Sequence, residues 1–151
     1  MRTCFFIGHR DAPESLRTQL DEAIERHIME YGVTDFVVGK YGNFDRMAAQ
    51  AVQRAKQRYT NIRLTLLLAY YDPIQQSNLP PGFDGSLYPD GLENVRRRYA
   101  IVHANRYMVR HSEYLIAYDK GLVGNTRELV LYARCREKKE MIHIENLAEK
   151  M

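Results

Sequence analysis

The stretch VVGKYGNFDRMAAQAVQRA, residues 37–55, passes from an apolar segment through two glycines into a run with helical spacing. This spacing predicts a strand over Asp35–Gly39 and a helix over Phe44–Tyr59, with Asn43 as the N-cap of the helix. Strands that lead through a short turn into a helix are the units of parallel α/β sheets. The turn either binds the phosphate of a ligand at the helix N-terminus or only connects the two elements.

The alternation of strand and helix continues along the chain of 151 residues. The segment IRLTLLLA at 62–69 is almost continuously apolar, as expected for a strand whose two faces are both covered. The pattern predicts an α/β fold in three layers, with a mostly parallel sheet of about five strands in a single domain over 1–151. The predicted strands lie at 3–8, 35–39, 62–69, 113–119 and 141–144, and the helices at 13–31, 44–59, 95–112 and 125–138.

Residues 70–94 interrupt this alternation. The segment YYDPIQQSNLPPGFDGSLYPDGLEN contains four of the five prolines and three glycines, and it shows no helix or strand period. A structureless segment of this length in a compact domain is usually a lid, a binding loop or disordered. We therefore predict that 70–94 is either a lid over the site or a disordered loop.

The composition is that of an ordinary globular protein, with 45% apolar and 27% charged residues. The 22 basic and 19 acidic residues give a net charge of +3, which is too small to indicate a nucleic-acid partner. Cys4 and Cys135 form no CxxC pair, and the five histidines lack metal-ligand spacing, so no metal site is predicted. Sparse thiols and an N-terminus without a signal or membrane segment predict a cytoplasmic protein.

In parallel α/β sheets, ligands bind beyond the carboxyl ends of the strands. Three glycine-bearing segments follow predicted strands, namely GHR at 8–10, GKYGNFD at 39–45 and DKGLVGNT at 119–126. Their backbone N–H groups could bind an anion, and Arg10 could pair with a phosphate or carboxylate. In the alternative interpretation these turns only cap helices, and Asp45 serves only the helix dipole.

The predicted helix over Val95–Ser112 carries a polar seam. Arg98, Asn105 and Ser112 recur every seven residues between two apolar bands. Such a seam is costly unless its members are hydrogen-bonded, so they are either buried pairing groups or point into a site. Because Arg98 lies close to the 70–94 segment, we predict that it points into the site.

Four segments of the chain resemble a known family in their order and spacing: CFFIGHR at 4–10, VGKYGNFDRMAAQAV at 38–52, GLENVRRRYAIVHANRYMV at 91–109 and YLIAYDKGLVGNTRELVLYA at 114–133. Together they resemble the YpsA-like branch of the SLOG superfamily of bacterial proteins. That superfamily also includes the cytokinin-activating LOG proteins, once labelled lysine decarboxylases, and the DNA-processing protein DprA/Smf.

The resemblance implies a Rossmann-like sheet that binds a nucleotide or nucleotide-derived ligand through the turns after its first, second and fourth strands. Many members of the superfamily are dimers, and the apolar bands of the long helix could supply an interface, so both a monomer and a homodimer stay open. No cofactor other than such a ligand is indicated. Together with the strand-end positions, the expected ligand-binding residues are Gly8, His9, Arg10, Gly39, Gly42, Asn43, Phe44, Asp45, Arg98, Asn105, Asp119, Gly121, Gly124, Asn125 and Thr126.

One motif departs from the family. The LOG enzymes carry PGGxGTxxE, whose glutamate serves phosphoribohydrolase chemistry, whereas this chain reads GLVGNTREL at 121–129, with Glu128 one position early. We therefore expect a protein that binds or senses a nucleotide-derived molecule. The alternative is a nucleotide N-glycosidase or phosphoribohydrolase with Asp45 or Glu128 as its acid or base. A nucleic-acid-binding accessory protein is the second alternative, and the small net charge argues against it.

Overall fold

A computed structural model of the protein describes residues 2–71 and 78–150. Its strands form one sheet in which every neighbouring pair is parallel. The strands are β1 (Thr3–Gly8), β2 (Asp35–Val38), β3 (Arg63–Leu67), β4 (Gly85–Leu87), β5 (Tyr114–Tyr118) and β6 (His143–Asn146), in the spatial order β4-β3-β2-β1-β5-β6.

Helices cover both faces of this sheet. The helices are α1 (Arg17–Met29), α2 (Asn43–Lys56), α3 (Ala100–Arg110) and α4 (Asn125–Glu137). Helices α1 and α2 pack on one face, and α3 and α4 pack on the other. The predicted three-layer α/β/α, Rossmann-like fold is thus confirmed, with six strands in the described residues instead of about five. In the same residues, no helix combines the length and apolar character needed to cross a membrane.

The strands at the centre of the sheet are buried on both faces, which explains why their sequences are apolar without alternation. Phe6 faces the layer of α1 and α2, whereas the preceding Phe5 faces the layer of α3 and α4. The chain builds β1 to β4 in one direction and then crosses to β5 on the other side of β1. The chain leaves β1 towards the face of α1 and leaves β5 towards the face of α4. The turns after these two neighbouring strands therefore diverge, and a crevice opens between them, where the strand order reverses.

The prediction that 70–94 lacks regular structure is wrong for two parts of it. Residues Gly85–Leu87 form β4 beside β3, and Leu92–Asn94 form a 3-10 turn. The carboxylate of Asp84 anchors the start of β4, because it accepts hydrogen bonds from the Leu64 N–H at 2.8 Å and the Lys56 ammonium at 2.6 Å. The lid prediction also covers residues 72–77, which lie outside the described residues.

The helix predicted over 95–112 is shorter and broken at its start. Val95 and Arg96 are extended, a 3-10 turn occupies Arg97–Tyr99, and α3 begins only at Ala100. The seven-residue seam assumed one continuous helix, so its members do not share one face. Arg98 is exposed on the 3-10 turn, Asn105 is half-buried within α3, and Ser112 is buried beyond its end.

Candidate functional site

A cavity lies at the carboxyl edge of the sheet, between the strand ends and α3. It contains about 600 Å³ of empty space, part of it open to solvent. Mostly apolar walls with a few convergent polar groups are typical of small-molecule sites. The apolar lining includes Phe5, Ile7, Leu67, Ala69, Ile101 and Ala104, and the polar side chains are Arg10, Tyr41, Asp45, Asn105, Asn125 and Thr126.

Many of the expected ligand-binding residues meet at this cavity. The structure places Gly8, Arg10, Gly39, Asp45, Asn105, Asn125 and Thr126 in its lining. A second cleft adjoins it, where His9 and Gly124 are joined by the exposed apolar side chains of Leu122 and Val123. Because Arg10, Asn125 and Thr126 line both spaces, the turns after β1 and β5 form one continuous recess.

The turn after β2 packs directly against the turn after β1. Gly42 has a φ of +115°, and a Cβ atom there would lie 2.7 Å from the Arg10 Cα, so only glycine fits. The Asn43 N–H donates to the Arg10 carbonyl oxygen at 2.9 Å, and the Asn43 side-chain amide donates to the Ala12 oxygen at 2.5 Å. The predicted N-cap is therefore displaced by one residue, since α2 begins at Asn43 and Gly42 precedes it.

Phe44 and Gly8 support the cavity from behind. Phe44 is fully buried, and its ring occupies the position that a side chain at residue 8 would need. The ring also stacks on Tyr118 at the end of β5, with 6.3 Å between ring centres. Phe44 thus holds the ends of β1 and β5 against the start of α2, and it does not line the cavity.

Asp45 is the buried acid of the cavity, with 8% of the residue exposed. Its Oδ2 accepts a hydrogen bond from the Tyr41 N–H at 3.0 Å. Burial raises the pKa of Asp45 from its ordinary 3.8 to about 6, although the Tyr41 N–H and the charge of Arg10 act in the opposite direction. A carboxyl group that titrates near neutral pH inside a cleft can donate or accept a proton in a reaction.

Asp119 organises the turn after β5 and does not line the cavity. Its side chain is completely buried, and it accepts hydrogen bonds from the Gly121 N–H at 2.9 Å and from Arg127 at 3.1 Å. Its backbone N–H and carbonyl groups both pair with the side-chain amide of Asn146 on β6. All of these partners belong to the protein itself. Asp119 and Gly121 therefore fix the conformation of the loop that leads to Asn125.

His9 connects the turn after β1 to the turn after β5. Its Nε2 accepts a hydrogen bond from the Lys120 N–H at 3.0 Å, and its ring lies edge-on to Tyr118 with 5.7 Å between centres. Because Nε2 is an acceptor in this contact, a neutral His9 carries its proton on Nδ1. His9 therefore bridges the ends of β1 and β5 on one side of the crevice.

Two residues predicted to act at the site lie elsewhere. Arg98 is exposed with its guanidinium 4.8 Å from the centre of the Tyr99 ring, outside the cavity lining. Glu128 lines a smaller cleft of about 250 Å³, which shares Asn105 and Asn125 with the main cavity. The two acids proposed for catalysis therefore face different spaces, and Asp45 is the one inside the main cavity.

Among the polar side chains of the lining, Tyr41 is the one that the sequence analysis missed. Its hydroxyl oxygen is buried and has no hydrogen-bond partner among the described residues. Burial raises the pKa of this hydroxyl, and Tyr70, Arg97, Arg10 and Asp45 lie near enough to influence it electrostatically. Its position between Gly39 and Gly42, directly after a predicted strand, could have indicated its role, because ligands bind beyond the carboxyl ends of parallel strands.

Comparisons with known proteins do not identify this site. No family model matches the chain, and no curated protein matches it. Membership of the SLOG superfamily therefore stays a prediction. In the part of the chain that the structure describes, no three His, Cys, Asp or Glu side chains come together as a metal ion would require.

Proposed function

We propose that this protein binds a nucleotide-derived small molecule in the cavity at the carboxyl edge of the sheet, as a binding or sensing protein of the SLOG type. One observation carries the proposal. Three turns that are far apart in sequence, those after β1, β2 and β5, converge on one recess with apolar walls and a few polar groups. This is the location where parallel α/β sheets bind their ligands.

The lining suits the parts of a nucleotide. Ile7 and Ile101, which line the cavity and are partly exposed, provide apolar surface for a flat base. Asn105 and Asn125 each offer an amide that both donates and accepts hydrogen bonds, as the edge of a base or a sugar requires. The ligand is thus expected to combine an aromatic ring with several hydroxyl groups.

Ligand-induced melting shifts test this proposal. Purified protein is heated with nucleoside 5′-monophosphates, nucleosides or ADP-ribose, and a ligand of the native state raises the melting temperature. At about one hundred times its Kd such a ligand adds roughly 2.7 kcal/mol of stability, a shift of several degrees. If no member of the panel raises the melting temperature, the proposal is wrong for these ligands.

A matched pair of asparagine variants locates the binding. Asn105→Ala removes an amide from the cavity lining, whereas Asn94→Ala changes an exposed amide outside it. We expect Asn105→Ala to reduce the ligand-induced shift by at least half and Asn94→Ala to leave it unchanged. Equal shifts in both variants would place the ligand outside this cavity.

Hydrolysis of an N-glycosidic bond is a second candidate function, and the buried Asp45 with its pKa of about 6 favours it. In that reaction water adds to the anomeric carbon, the bond to the base breaks and the departing base receives a proton. Protonated Asp45 could supply this proton, or the carboxylate could accept one from the attacking water.

Release of free base from nucleoside 5′-monophosphates tests this second function. Asp45→Asn should abolish the release, and Glu128→Gln should retain it because Glu128 faces the smaller cleft. If protonated Asp45 is the donor, the rate falls as the pH rises above about 6. Unchanged release by Asp45→Asn would remove this residue from the mechanism.

A further inference from the structure

Two arginines on different elements influence the hydroxyl of Tyr41, a lining residue of the cavity, electrostatically. Arg10 follows β1 and lines the cavity itself, whereas Arg97 is exposed on the 3-10 turn before α3 and lies outside the lining. Among the described residues, neither guanidinium forms an ion pair or a hydrogen bond. Both cations therefore remain available to an anion from outside the chain.

Arg97 is held in place by an aromatic ring. Its guanidinium carbon lies 4.2 Å from the centre of the Tyr70 ring, and Tyr70 packs against the core at the end of β3. A cation above an aromatic face gains electrostatic attraction without losing its N–H donors. Arg97 also precedes Ile101 by four residues, and Ile101 lines the cavity. The contact thus holds Arg97 beside the segment that follows β3.

The hydroxyl of Tyr41 is within electrostatic reach of both arginines. It is influenced by the charges of both Arg97 and Arg10, it is buried, and it has no hydrogen-bond partner among the described residues. A buried hydroxyl without a partner costs free energy that a bound acceptor recovers. One unpartnered O–H group and two cationic guanidinium groups near it are donors of the kind that bind a phosphate.

Asp45 makes the inner end of the cavity different from its mouth. The carboxylate is buried beside Gly39 and accepts one backbone hydrogen bond. Its negative charge repels a phosphate and accepts hydrogen bonds from hydroxyl groups. A ligand that satisfies both ends must carry an anionic group outward and hydroxyl groups inward.

We propose that Arg97, Arg10 and the Tyr41 hydroxyl form a phosphate site at the cavity mouth, which selects phosphorylated sugars held with the phosphate outward and hydroxyl groups towards Asp45. This inference rests on the proposed function and deepens it. It names the phosphate monoester as the group recognised, and it adds Arg97 and Tyr41 to the binding residues. Nucleoside 5′-monophosphates and simple sugar phosphates both carry this group.

Calorimetric titration tests the phosphate site. The probes are the four common nucleoside 5′-monophosphates, their nucleosides, ribose 5-phosphate and inorganic phosphate. We expect at least one monophosphate to bind about tenfold or more tightly than its nucleoside, because it gains charge-assisted hydrogen bonds. Ribose 5-phosphate separates recognition of any sugar phosphate from recognition of a complete nucleotide, and each result supports the phosphate site.

Arg97→Gln should remove most of the advantage of the monophosphate over the nucleoside, and Arg97→Lys should restore part of it. Arg98→Gln is the matched control, since it deletes the same charge from the same turn at a residue whose guanidinium packs on Tyr99 instead of Tyr70. We expect less than about a threefold effect from this control. Tyr41→Phe keeps the ring and provides a second, independent variant with a smaller loss.

The outcomes distinguish the two proposals. If nucleosides bind as tightly as monophosphates, the phosphate site is wrong and the proposed function stands. Equal losses in Arg97→Gln and Arg98→Gln would also overturn the site, because general charge would then explain the effect. If neither nucleosides nor phosphates bind, the proposed function fails, and the phosphate site fails with it.

Discussion

The two ends of the sheet treat their polar groups differently. At the amino edge, Arg2 donates to the Tyr31 carbonyl at 2.6 Å and to the Tyr114 hydroxyl at 3.1 Å. The carboxylate of Glu113 accepts the Thr3 N–H at 2.7 Å. An open cleft exists there as well, yet these lining groups already have partners within the protein.

At the carboxyl edge, several groups at or near the cavity have no such partners. Among the described residues, Arg10 and Arg97 have no ion-pair partner and the Tyr41 hydroxyl has no hydrogen-bond partner, and burial makes the ionised form of Asp45 costly. The unpaired hydroxyl and the buried carboxyl group do not stabilise the folded state. Proteins retain such unfavourable groups mainly at functional sites. Within the described ranges, unpaired buried atoms also occur near the amino edge, at His27 Nε2 and Ser112 Oγ, but these residues do not line the cleft there. The contrast teaches that a cleft becomes a candidate site when unpaired groups line it, since both edges contain clefts.

The largest effect is expected where β1 meets α2 at the carboxyl edge. In Gly8→Ala the new Cβ would lie 2.5 Å and 2.8 Å from the two Cδ atoms of the Phe44 ring, which is fully buried and cannot withdraw. Overpacking of this kind should cost about 3 kcal/mol of unfolding free energy, measured by urea denaturation. Gly85→Ala in β4 is the control, because its nearest neighbour is Arg63 Nη2 at 3.4 Å. Equal losses would show that the Phe44 contact is not rigid.

The second prediction concerns the charge of Asp45. Its folded pKa of about 6 exceeds its ordinary 3.8, so the folded wild-type protein loses stability as the pH rises from about 4 to about 6. Asp45→Asn removes this penalty while its oxygen can still accept the Tyr41 N–H. We expect roughly 2 kcal/mol of added stability at pH 7 and no difference near pH 3, measured by denaturant unfolding.

Asp119→Asn is the matched control for that variant. The same substitution in the other buried aspartate of this edge weakens the contact with Arg127. We therefore expect a loss of about 1 to 2 kcal/mol at pH 7, opposite in sign to Asp45→Asn. If both variants lose stability, the idea that Asp45 is retained at a cost to folding is wrong.

The smallest effect is expected at the amino edge, in Glu137→Gln. Burial would raise the pKa of Glu137, but the Ile144 N–H at 2.9 Å and Arg134 at 2.8 Å outweigh it and lower the pKa below 4.5. The ionised group therefore stabilises the fold above pH 4.5, and this contribution disappears as the pH falls through the folded pKa. Because the group is partly exposed, we expect under about 1 kcal/mol at pH 7. A difference that persists at low pH would contradict this account.

The sequence predicted the fold well wherever a hydrophobic period was long enough to recognise. The segments at 3–8 and 62–69 were predicted as strands because their apolar runs reflect burial on both faces. The strand β4 was missed, since Gly85-Ser86-Leu87 has no such run and lies among prolines and glycines. Its pairing with β3 and the anchor at Asp84 stabilise it, and neither contact is local in sequence.

The candidate site was predicted in part. The glycine turns after β1, β2 and β5 do converge on one recess, because parallel strands bring their carboxyl ends to the same edge. Arg98 was chosen on the assumption of a continuous helix, but that helix is broken, because a 3-10 turn occupies Arg97–Tyr99 and α3 begins only at Ala100. The break makes Arg97 the arginine that packs on Tyr70.

By itself, the sequence determined the α/β class and the turns that reach the carboxyl edge, because both follow from local periodicity and from the positions of glycine. Only the tertiary structure decided that Asp45 is buried, that the Tyr41 hydroxyl has no partner in the described part of the chain and that Arg97 lies over Tyr70. Burial and pairing depend on neighbours brought from distant parts of the chain. The chemistry of the site is therefore set by packing, on a framework that local pattern already specifies.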